Sequence, residues 1–376
     1  MAENERDEHM EGESPAPAHR LPLFALIGYG LGAVSLILYL CFLFSESFAD
    51  WFNGSVGAAI RATLSCLTVW IPFSLGEYLL ILSPVILVTL ILFGIRRFAD
   101  SWRGVFVYCG TILSVVALVL SVFALGFAPA YRGSTLDRKL GLTRREVSAE
   151  ELYETTLILA EKLNEESEHI VYSNQTDFSI MPYGLEEMNG KLMEAYGAAC
   201  DKYGYPQRLW SRVKPVMLSE AMSYTHITGV YSFFTGEANI NVAFPDYTIP
   251  FTAAHELSHQ RGVAREDEAN FMAFLVCLES EDPYIRYSGY LNLYEYVRSA
   301  LYSASPELYV KANALVDTRV RREMAAFNQF FAKYQNSAAS EVTETVNDTF
   351  LTLNGTEGTK SYGMVVDLAV AYYLSD

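Results

Sequence analysis

Residues 255–259 read His-Glu-Leu-Ser-His, an HExxH pattern, and are the part of this sequence best suited to chemistry. On a helix, residues four apart lie on one face, so His255 and His259 can ligate the same metal ion. Glu256 lies beside that face, where its carboxylate can hold a water molecule and act as a general base. The pattern therefore predicts a helix that binds Zn²⁺ through both histidines and activates water for hydrolysis.

A catalytic zinc ion needs a third protein ligand and keeps one position for water. Gly262 allows the chain to turn out of the first helix, and Glu266, seven residues after His259, opens a second helical segment. Glu266 and Asn270 share a helix face, so Asn270 is predicted to hydrogen-bond a zinc histidine. Glu268 points roughly 200° away from Glu266 on an ideal helix, so one carboxylate alone can ligate. We predict Glu266, with Glu268 as the alternative.

A short strand is predicted upstream of this helix, where residues 236–242 read Gly-Glu-Ala-Asn-Ile-Asn-Val. Zinc peptidases commonly pair an edge strand in this place with extended substrate. Asn239 and Asn241 alternate along the strand and would give such an edge one polar face. Glu237 is not assigned to the metal. The run is equally compatible with an ordinary strand whose Glu237 is buried in a hydrogen-bond network.

Hydrolysis also needs a donor that stabilises the developing oxyanion. Candidates near the motif are His226, Tyr224 and Tyr231, although most tyrosines simply pack. Arg265 is a candidate for binding a substrate carboxylate or for pairing with its acidic neighbours. None of these assignments follows from spacing alone, so all of them stay open.

Three long apolar runs predict transmembrane helices at about residues 21–44, 73–95 and 104–130; they are uncharged except for Glu77, which is expected at the membrane interface. A helix of about 20 residues spans a hydrocarbon core of about 30 Å. The segment between the first two, about residues 51–71, is moderately apolar but contains Arg61. It predicts an interfacial amphipathic helix, with a fourth span as the alternative. Residues 1–20 are acidic and predict a disordered tail.

The composition supports this division of the chain. It has 376 residues, of which 51% are hydrophobic, and a net charge of −17. Residues 21–130 carry only eight charged side chains, so the negative charge lies outside that block. A charge-poor block followed by an acidic domain indicates a lipid bilayer as partner and argues against nucleic acid, whose phosphates need a basic surface.

Arg96, Arg97 and Arg103 follow one another between the second and third spans. By the positive-inside rule this short loop is cytoplasmic, which places the C-terminal domain outside the cytoplasm. Five basic residues between positions 132 and 145 favour the opposite orientation. They count for less because long domains translocate largely regardless of charge.

The C-terminal domain, about residues 145–376, has mainly helical patterns; we predict helices at about 148–167, 186–203, 307–334, 340–353 and 362–374. Two short strands, 230–234 and 238–242, are predicted around the turn Thr235-Gly236. The motif lies more than a hundred residues beyond the last span, so the three apolar helices are predicted to act as an anchor. The expected fold class is mainly α with a small β element.

Three segments, 234–239, 250–262 and 266–271, resemble an uncharacterised bacterial family of membrane proteins. Its members have about three N-terminal transmembrane helices and a C-terminal zincin-like domain. The likeness extends to residues 361–363 and 371–373. The Glu-x-x-Ala-Asn that starts at Glu266 is also similar to the Glu-x-x-Ala-Asp of membrane-bound gluzincin peptidases, which implies Glu266 as third ligand. Asn270 stands where those peptidases have aspartate.

Motif and resemblance together imply a membrane-anchored zinc metallohydrolase on a mostly helical, zincin-like domain. A metallopeptidase that acts on a peptide or protein is the first expectation, in a multi-pass protein of a bacterial cell membrane. One alternative is a catalytically inactive zinc-binding sensor or scaffold of the cell envelope. Another is a zinc hydrolase whose envelope substrate is not a protein.

Overall fold

The computed structural model of the chain describes residues 20–358, 360 and 364–374. The predicted tail lies, apart from Arg20, outside these residues, and so do residues 361–363. The helices of the described part are α1 (Leu23–Phe44), α2 (Glu46–Phe52), α3 (Ala58–Thr68), α4 (Leu75–Phe98), α5 (Trp102–Gly126), α6 (Ala128–Arg132), α7 (Leu136–Leu140), α8 (Ala149–Ser167), α9 (Leu185–Tyr203), α10 (Ser219–Ser223), α11 (Thr248–Gln260), α12 (Glu266–Leu278), α13 (Pro283–Ala304), α14 (Pro306–Asn313), α15 (Thr318–Ala332), α16 (Ala338–Leu353) and α17 (Val365–Leu374). The strands are β1 (Val213–Pro215), β2 (Gly229–Ser232) and β3 (Glu237–Ile240). The fold is mainly α, which confirms the predicted class.

Three of these helices, α1, α4 and α5, are long and apolar enough to cross a membrane. They have 22, 24 and 25 residues and leave most of their large apolar side chains exposed, as lipid-facing helices do. Small residues let them approach one another. A Cβ on Gly28 of α1 would lie 2.9 Å from the Ser114 carbonyl oxygen of α5, and Gly94 of α4 packs against Tyr108.

The segment between α1 and α4 starts and ends on the side of the C-terminal domain. The chain forms one continuous helical run there, as the sequence predicts, in which a π-helical turn (Asn53–Gly57) joins α2 to α3. The Arg61 guanidinium packs against this π-helical turn, where it donates to the Asn53 backbone oxygen at 2.9 Å, and it also donates to the Gly126 carbonyl oxygen. Arg61 is buried, and the segment packs between the apolar helices and the domain.

The three strands form one sheet in the order β1-β3-β2, with β1 parallel and β2 antiparallel to β3. The predicted hairpin around Thr235-Gly236 is present, with Gly236 at a φ of +70°. β1 has no counterpart among the predicted elements. Because β1 covers its outer side, β3 is the central strand, and the prediction that Asn239 lies on a substrate-binding edge is wrong. β2 is the edge that remains.

The core of the domain is formed by α8, α9, α11, α12 and α13. The long helix α13 has no counterpart among the predicted elements. The predicted helix at 307–334 is wrong, because the chain breaks between α14 and α15. The Asn164 side chain there bonds the Leu315 carbonyl oxygen and the Asp317 backbone N–H, and Asp317 caps α15. A tertiary contact thus divides a pattern that would otherwise be helical throughout.

The apolar helices are joined to the domain by buried polar contacts. The Glu237 carboxylate accepts hydrogen bonds from the backbone N–H groups of Leu75 and Gly76, at the start of α4, and pairs with Lys214. The Glu77 carboxylate in turn accepts hydrogen bonds from the backbone N–H groups of residues 217 and 218, which directly precede α10. Glu237 therefore belongs to a structural network, which is the second of the two interpretations that the sequence left open.

Candidate metal centre

The two histidines of the HExxH run lie one turn apart on α11, with their ring centroids separated by 4.6 Å. The chain then reverses at Gly262, whose φ of +86° suits a residue without a side chain. Arg61 and Asn53 pack against this glycine, and a Cβ there would lie within 2.8 Å of both side chains. This turn returns the chain so that α12 begins with Glu266 beside the histidines.

One carboxylate oxygen of Glu266 faces the Nε2 atoms of both imidazoles. It lies 3.1 Å from Nε2 of His255 and 3.4 Å from Nε2 of His259. One ligand atom from each of the three residues lies within 4.8 Å of the other two, and all three residues are buried. The structure therefore brings the two histidines and Glu266 together as a convergent set of donor atoms.

The two predicted neighbours of that ligand set make other contacts. The Glu268 carboxylate accepts a hydrogen bond from the Leu136 backbone N–H and pairs with Arg265, both at 3.0 Å. The Glu268 carboxylate is thus directed away from the histidines, and Arg265 forms its ion pair with Glu268. The Asn270 amide donates to the Tyr296 hydroxyl on α13 at 3.4 Å. The prediction that Asn270 bonds a zinc histidine is therefore wrong.

Charge couples the three clustered residues. Burial opposes the charged form of His259, but the neighbouring carboxylate outweighs it and raises the pKa of His259 to about 9. Burial also opposes ionisation of Glu266, yet the two imidazoles hold its pKa well below the usual range. Nδ1 of His259 lies 2.7 Å from the Val263 carbonyl oxygen, which directs Nε2 toward Glu266. Two imidazole nitrogens and one ionised carboxylate oxygen fit the donor preferences of Zn²⁺.

Glu256 lies next to this cluster and is equally buried. A Cβ on Gly229 of β2 would lie 2.6 Å from its Oε1 atom, so the backbone of β2 packs directly on the carboxylate. Its Oε2 atom is buried without a hydrogen-bond partner. Burial raises the pKa of Glu256 to about 7, although both imidazoles act in the opposite direction. A carboxylate with a pKa near neutrality and an unsatisfied oxygen suits a general base.

Two cavities meet at His255, Glu256 and Gly229 and form one cleft. The first, of about 560 Å³, is the more polar of the two and is called the polar half; its polar lining residues include His226, Thr228, Thr252, Asn270, Asn292, Glu295, Glu344 and Asn347, and its aromatic ones are Phe244, Tyr247, Phe251, Tyr296 and Phe327. The second, of about 490 Å³, is the apolar half, and its lining includes Phe127, Tyr131, Tyr231, Phe233, Val342, Val346 and Phe350. Helix α16 borders both halves, so Glu256 faces a continuous cleft covered by that helix.

The oxyanion candidates occupy different places. Nε2 of His226 lies 2.9 Å from the Tyr334 carbonyl oxygen, at the wall of the polar half. The Tyr231 ring packs on Phe127 in the apolar half, and its hydroxyl is buried without a partner. Tyr224 packs edge-on against Tyr334. Of these side chains, His226 and Tyr231 line the cleft that contains Glu256.

Sequence reasoning missed Phe127 and Tyr131, which follow α5 directly and line the apolar half. Tyr131 is only 4% exposed, and its pKa is raised by burial and then by the charge of Glu266. The two residues lie more than a hundred positions before the HExxH run, so no local pattern links them to it. The one available signal is that the third uncharged run extends to Tyr131, past the length that a membrane span needs.

Residues 53–370 match a family that is described as a protein of unknown function, DUF3810, so the chain belongs to this family. The family match and the three apolar helices confirm one part of the resemblance, namely a family of unknown function whose members have membrane-spanning segments. No curated protein and no solved structure matches the chain. The family assigns no activity, so the geometry around His255 and Glu256 bears on function by itself.

Proposed function

We propose that this protein is a membrane-anchored zinc metallohydrolase that cleaves peptide bonds. The observation that carries the proposal is the buried set His255, His259 and Glu266, whose ligand atoms lie within 4.8 Å of one another beside Glu256. Two histidines and a glutamate form a ligand set of catalytic zinc, which leaves a position for water. The zincin-like character of the domain is part of this proposal.

Bound zinc would polarise the scissile carbonyl and lower the pKa of water in the site. Glu256 accepts the proton of the attacking water on its unpartnered Oε2 atom and then gives it to the leaving amine. Gly229 holds the other side of that carboxylate. The Val263 carbonyl oxygen keeps the His259 ring oriented toward Glu266.

Strand β2 supports a peptide as the substrate. It is an edge of the sheet, and its residues Gly229 and Tyr231 line the cleft next to Glu256. An extended peptide can add to this edge through backbone hydrogen bonds, which bind it whatever its side chains are. In this proposal β2 pairs with the substrate, the role that the sequence analysis assigned to residues 236–242.

We place the domain outside the cytoplasm. Leu75 at the start of α4 bonds Glu237 of the domain and Phe123 in the last turn of α5 packs on Phe233, so the loop that carries Arg96, Arg97 and Arg103 lies at the opposite end of these helices. The five basic residues that follow α5 lie at the start of a long domain, and long domains translocate largely regardless of charge. The positive charge of the loop between α4 and α5 thus favours the cytoplasm for that loop and the outside for the domain.

A cysteine label tests this orientation. Leu353→Cys, at a position that is 74% exposed, would be introduced into a variant without the native cysteines. An impermeant thiol reagent should label it in intact cells. Labelling after lysis alone would place the domain in the cytoplasm.

The activity is tested on the full-length protein in detergent, wild type against Glu256→Gln. Both should contain one zinc per chain by elemental analysis, and wild type alone should cleave members of a peptide library. Stoichiometric zinc without cleavage of any peptide would favour the inactive scaffold or a non-protein substrate. Absence of zinc from both proteins would overturn the proposal.

A further inference from the structure

The apolar half of the cleft reaches the end of a membrane-spanning helix. The ring of Phe123, in the last turn of α5, lies 5.2 Å from the ring of Phe233 and 5.9 Å from that of Phe350 on α16. Phe350 also contacts Tyr131, whose neighbours in the cleft are Glu266 and His259. Aromatic side chains therefore line an unbroken path from α5 to the clustered histidines.

The same Phe123 lines a groove along the spanning helices. This groove has a volume of about 540 Å³, lies between α1 and α5, and is almost entirely apolar. Half of its lining residues are small, namely Gly32, Ala33, Ser35, Ala117 and Ala124, and the other half are Tyr29, Leu36, Tyr39, Leu120 and Phe123. Small residues allow another helix to approach closely inside a bilayer. The groove thus has the features of a seat for a helix, and it leads toward the cleft.

Helix α16 presents an apolar stripe to the cleft mouth. Val342, Val346 and Phe350 follow at intervals of four residues and lie on one face, and Val342 and Val346 are 66% and 64% exposed. Arg132, just beyond α5, lies 3.5 Å from the Leu353 carbonyl oxygen and keeps this end of α16 at the spanning helices. Exposed apolar side chains at a cleft mouth indicate an apolar partner.

We infer that the substrate is a polypeptide held in the same bilayer by a spanning helix and cut just outside the membrane. Its helix lies in the groove between α1 and α5, and the chain that follows passes Phe123 and Val346 to reach Glu256. The inference rests on the proposed hydrolytic function and adds the substrate class to it. A soluble peptide would make no use of the groove or of the aromatic path.

The probe is a synthetic peptide with a spanning helix of about 20 leucine and alanine residues, followed by a 15-residue soluble segment, and the same segment without the helix. The full-length Glu256→Gln protein in liposomes carries a photo-crosslinking amino acid in place of Val346. The matched control carries it at Met217, which is 60% exposed and lies near the start of α4, outside the cleft. Both positions are close to the bilayer, so concentration of the tethered peptide at the membrane affects them alike.

Crosslinking at Val346 should favour the tethered peptide over the soluble one by about tenfold or more, and crosslinking at Met217 should show no such preference. Equal labelling of both peptides at Val346, or equal labelling of the tethered peptide at both positions, would overturn the inference. This readout needs no cleavage. A protein that binds zinc and hydrolyses soluble peptides but fails here would keep the proposed function and lose the substrate class.

A cleavage arm uses wild type with any segment cleaved in the peptide library. Val346→Asp should lower kcat/KM for the tethered segment by roughly tenfold more than for the soluble segment, because a charge replaces an apolar contact on the path from the spanning helix. Met217→Asp should change neither. An equal loss for both segments under Val346→Asp would show that α16 affects hydrolysis in general, and would count against a tethered substrate.

Discussion

Two regions face each other across the cleft and are packed in opposite ways. The floor, α11 and α12, has buried residues on every face, including all of Thr248–Gln260. The roof, α16, buries Ser340 and Leu351 among its described residues and leaves Val342 two-thirds exposed. Reacting groups need a fixed geometry, which only a fully packed element provides, whereas a helix that covers a substrate must be able to move.

Polar contacts reinforce this difference. Gln260 of the floor donates to the Gly236 carbonyl oxygen at 2.7 Å, and Ser258 is bonded to Tyr196 of α9 at 2.8 Å. Such buried bonds specify one position for α11, because breaking them leaves unsatisfied groups. The roof is held mainly at its C-terminal end, where Arg132 and the ring of Phe350 meet the end of α5. We therefore expect changes in the floor to affect metal and turnover, and changes in the roof to affect recognition.

The largest effect is expected from Glu256→Gln in the floor. It removes the general base and should lower kcat/KM by about 10²–10⁴-fold while zinc stays bound. Glu344→Gln is the matched change in the roof, since Glu344 lines the same polar half of the cleft. It should change turnover several-fold at most. Similar losses for both variants in a peptide-cleavage assay would remove the distinction between floor and roof.

A second large effect is expected from His259→Ala. Loss of outer contacts typically weakens metal binding by about 10–100-fold, and loss of a ligand should exceed this. His226→Ala is the control, because this histidine lines the cleft but bonds the Tyr334 carbonyl oxygen. It should keep its zinc in competition with a chelator. Stoichiometric zinc in the purified His259→Ala protein would contradict the assignment.

Two of the three carboxylates of α12, Glu266 and Glu268, separate metal binding from packing. Glu266→Gln should bind zinc far more weakly, whereas Glu268→Gln should retain it. Glu268→Gln should instead lower the free energy of unfolding by about 1–3 kcal/mol, because it weakens the bonds to Leu136 and Arg265. Zinc titration and urea unfolding measure the two effects. Loss of zinc from Glu268→Gln alone would mean that α12 is rotated from the position described.

Two glycines have the same φ of +86° and allow a comparison of the turn within the floor, between α11 and α12, with the turn that ends the roof. Gly262→Ala should cost about 2–4 kcal/mol of unfolding free energy, since strained backbone adds to a clash with buried Arg61 and Asn53. Gly355→Ala meets Arg132 at an exposed position and should cost about 1–2 kcal/mol. Equal costs in a urea titration would show that the floor turn is no better packed than the roof turn.

The smallest effect on stability is expected from Val346→Asp in the roof. Its side chain is 64% exposed, so the free energy of unfolding should stay within about 0.5 kcal/mol of wild type. Ala254→Asp, at a fully buried position of the floor, should lower it by more than about 3 kcal/mol. A strongly destabilised Val346→Asp protein would mean that α16 is packed as firmly as α11.

Local patterns were sufficient where a feature depends on neighbours in the chain. Uncharged runs located α1, α4 and α5 to within a few residues, because every face of a spanning helix must be apolar. Helix periodicity and the glycine at 262 anticipated that Glu266 would return to the histidines, since a helix and one tight turn are local geometry. The same reasoning failed for the helix over 307–334, because the residue that divides it, Asn164, lies 151 residues before Leu315 and 153 before Asp317 in the chain.

By itself, then, the sequence determined the three apolar helices, the HExxH helix and the side of α12 that carries Glu266. Tertiary structure alone decided that β1 makes β3 a central strand, that Glu237 caps α4, and that Asn270 bonds Tyr296. It also decided that Phe127 and Tyr131, at the end of a spanning helix, line the same cleft as Glu256. The physical reason is that these outcomes depend on which surfaces pack together across more than a hundred residues, and burial free energy is shared by the whole fold rather than recorded in any one segment.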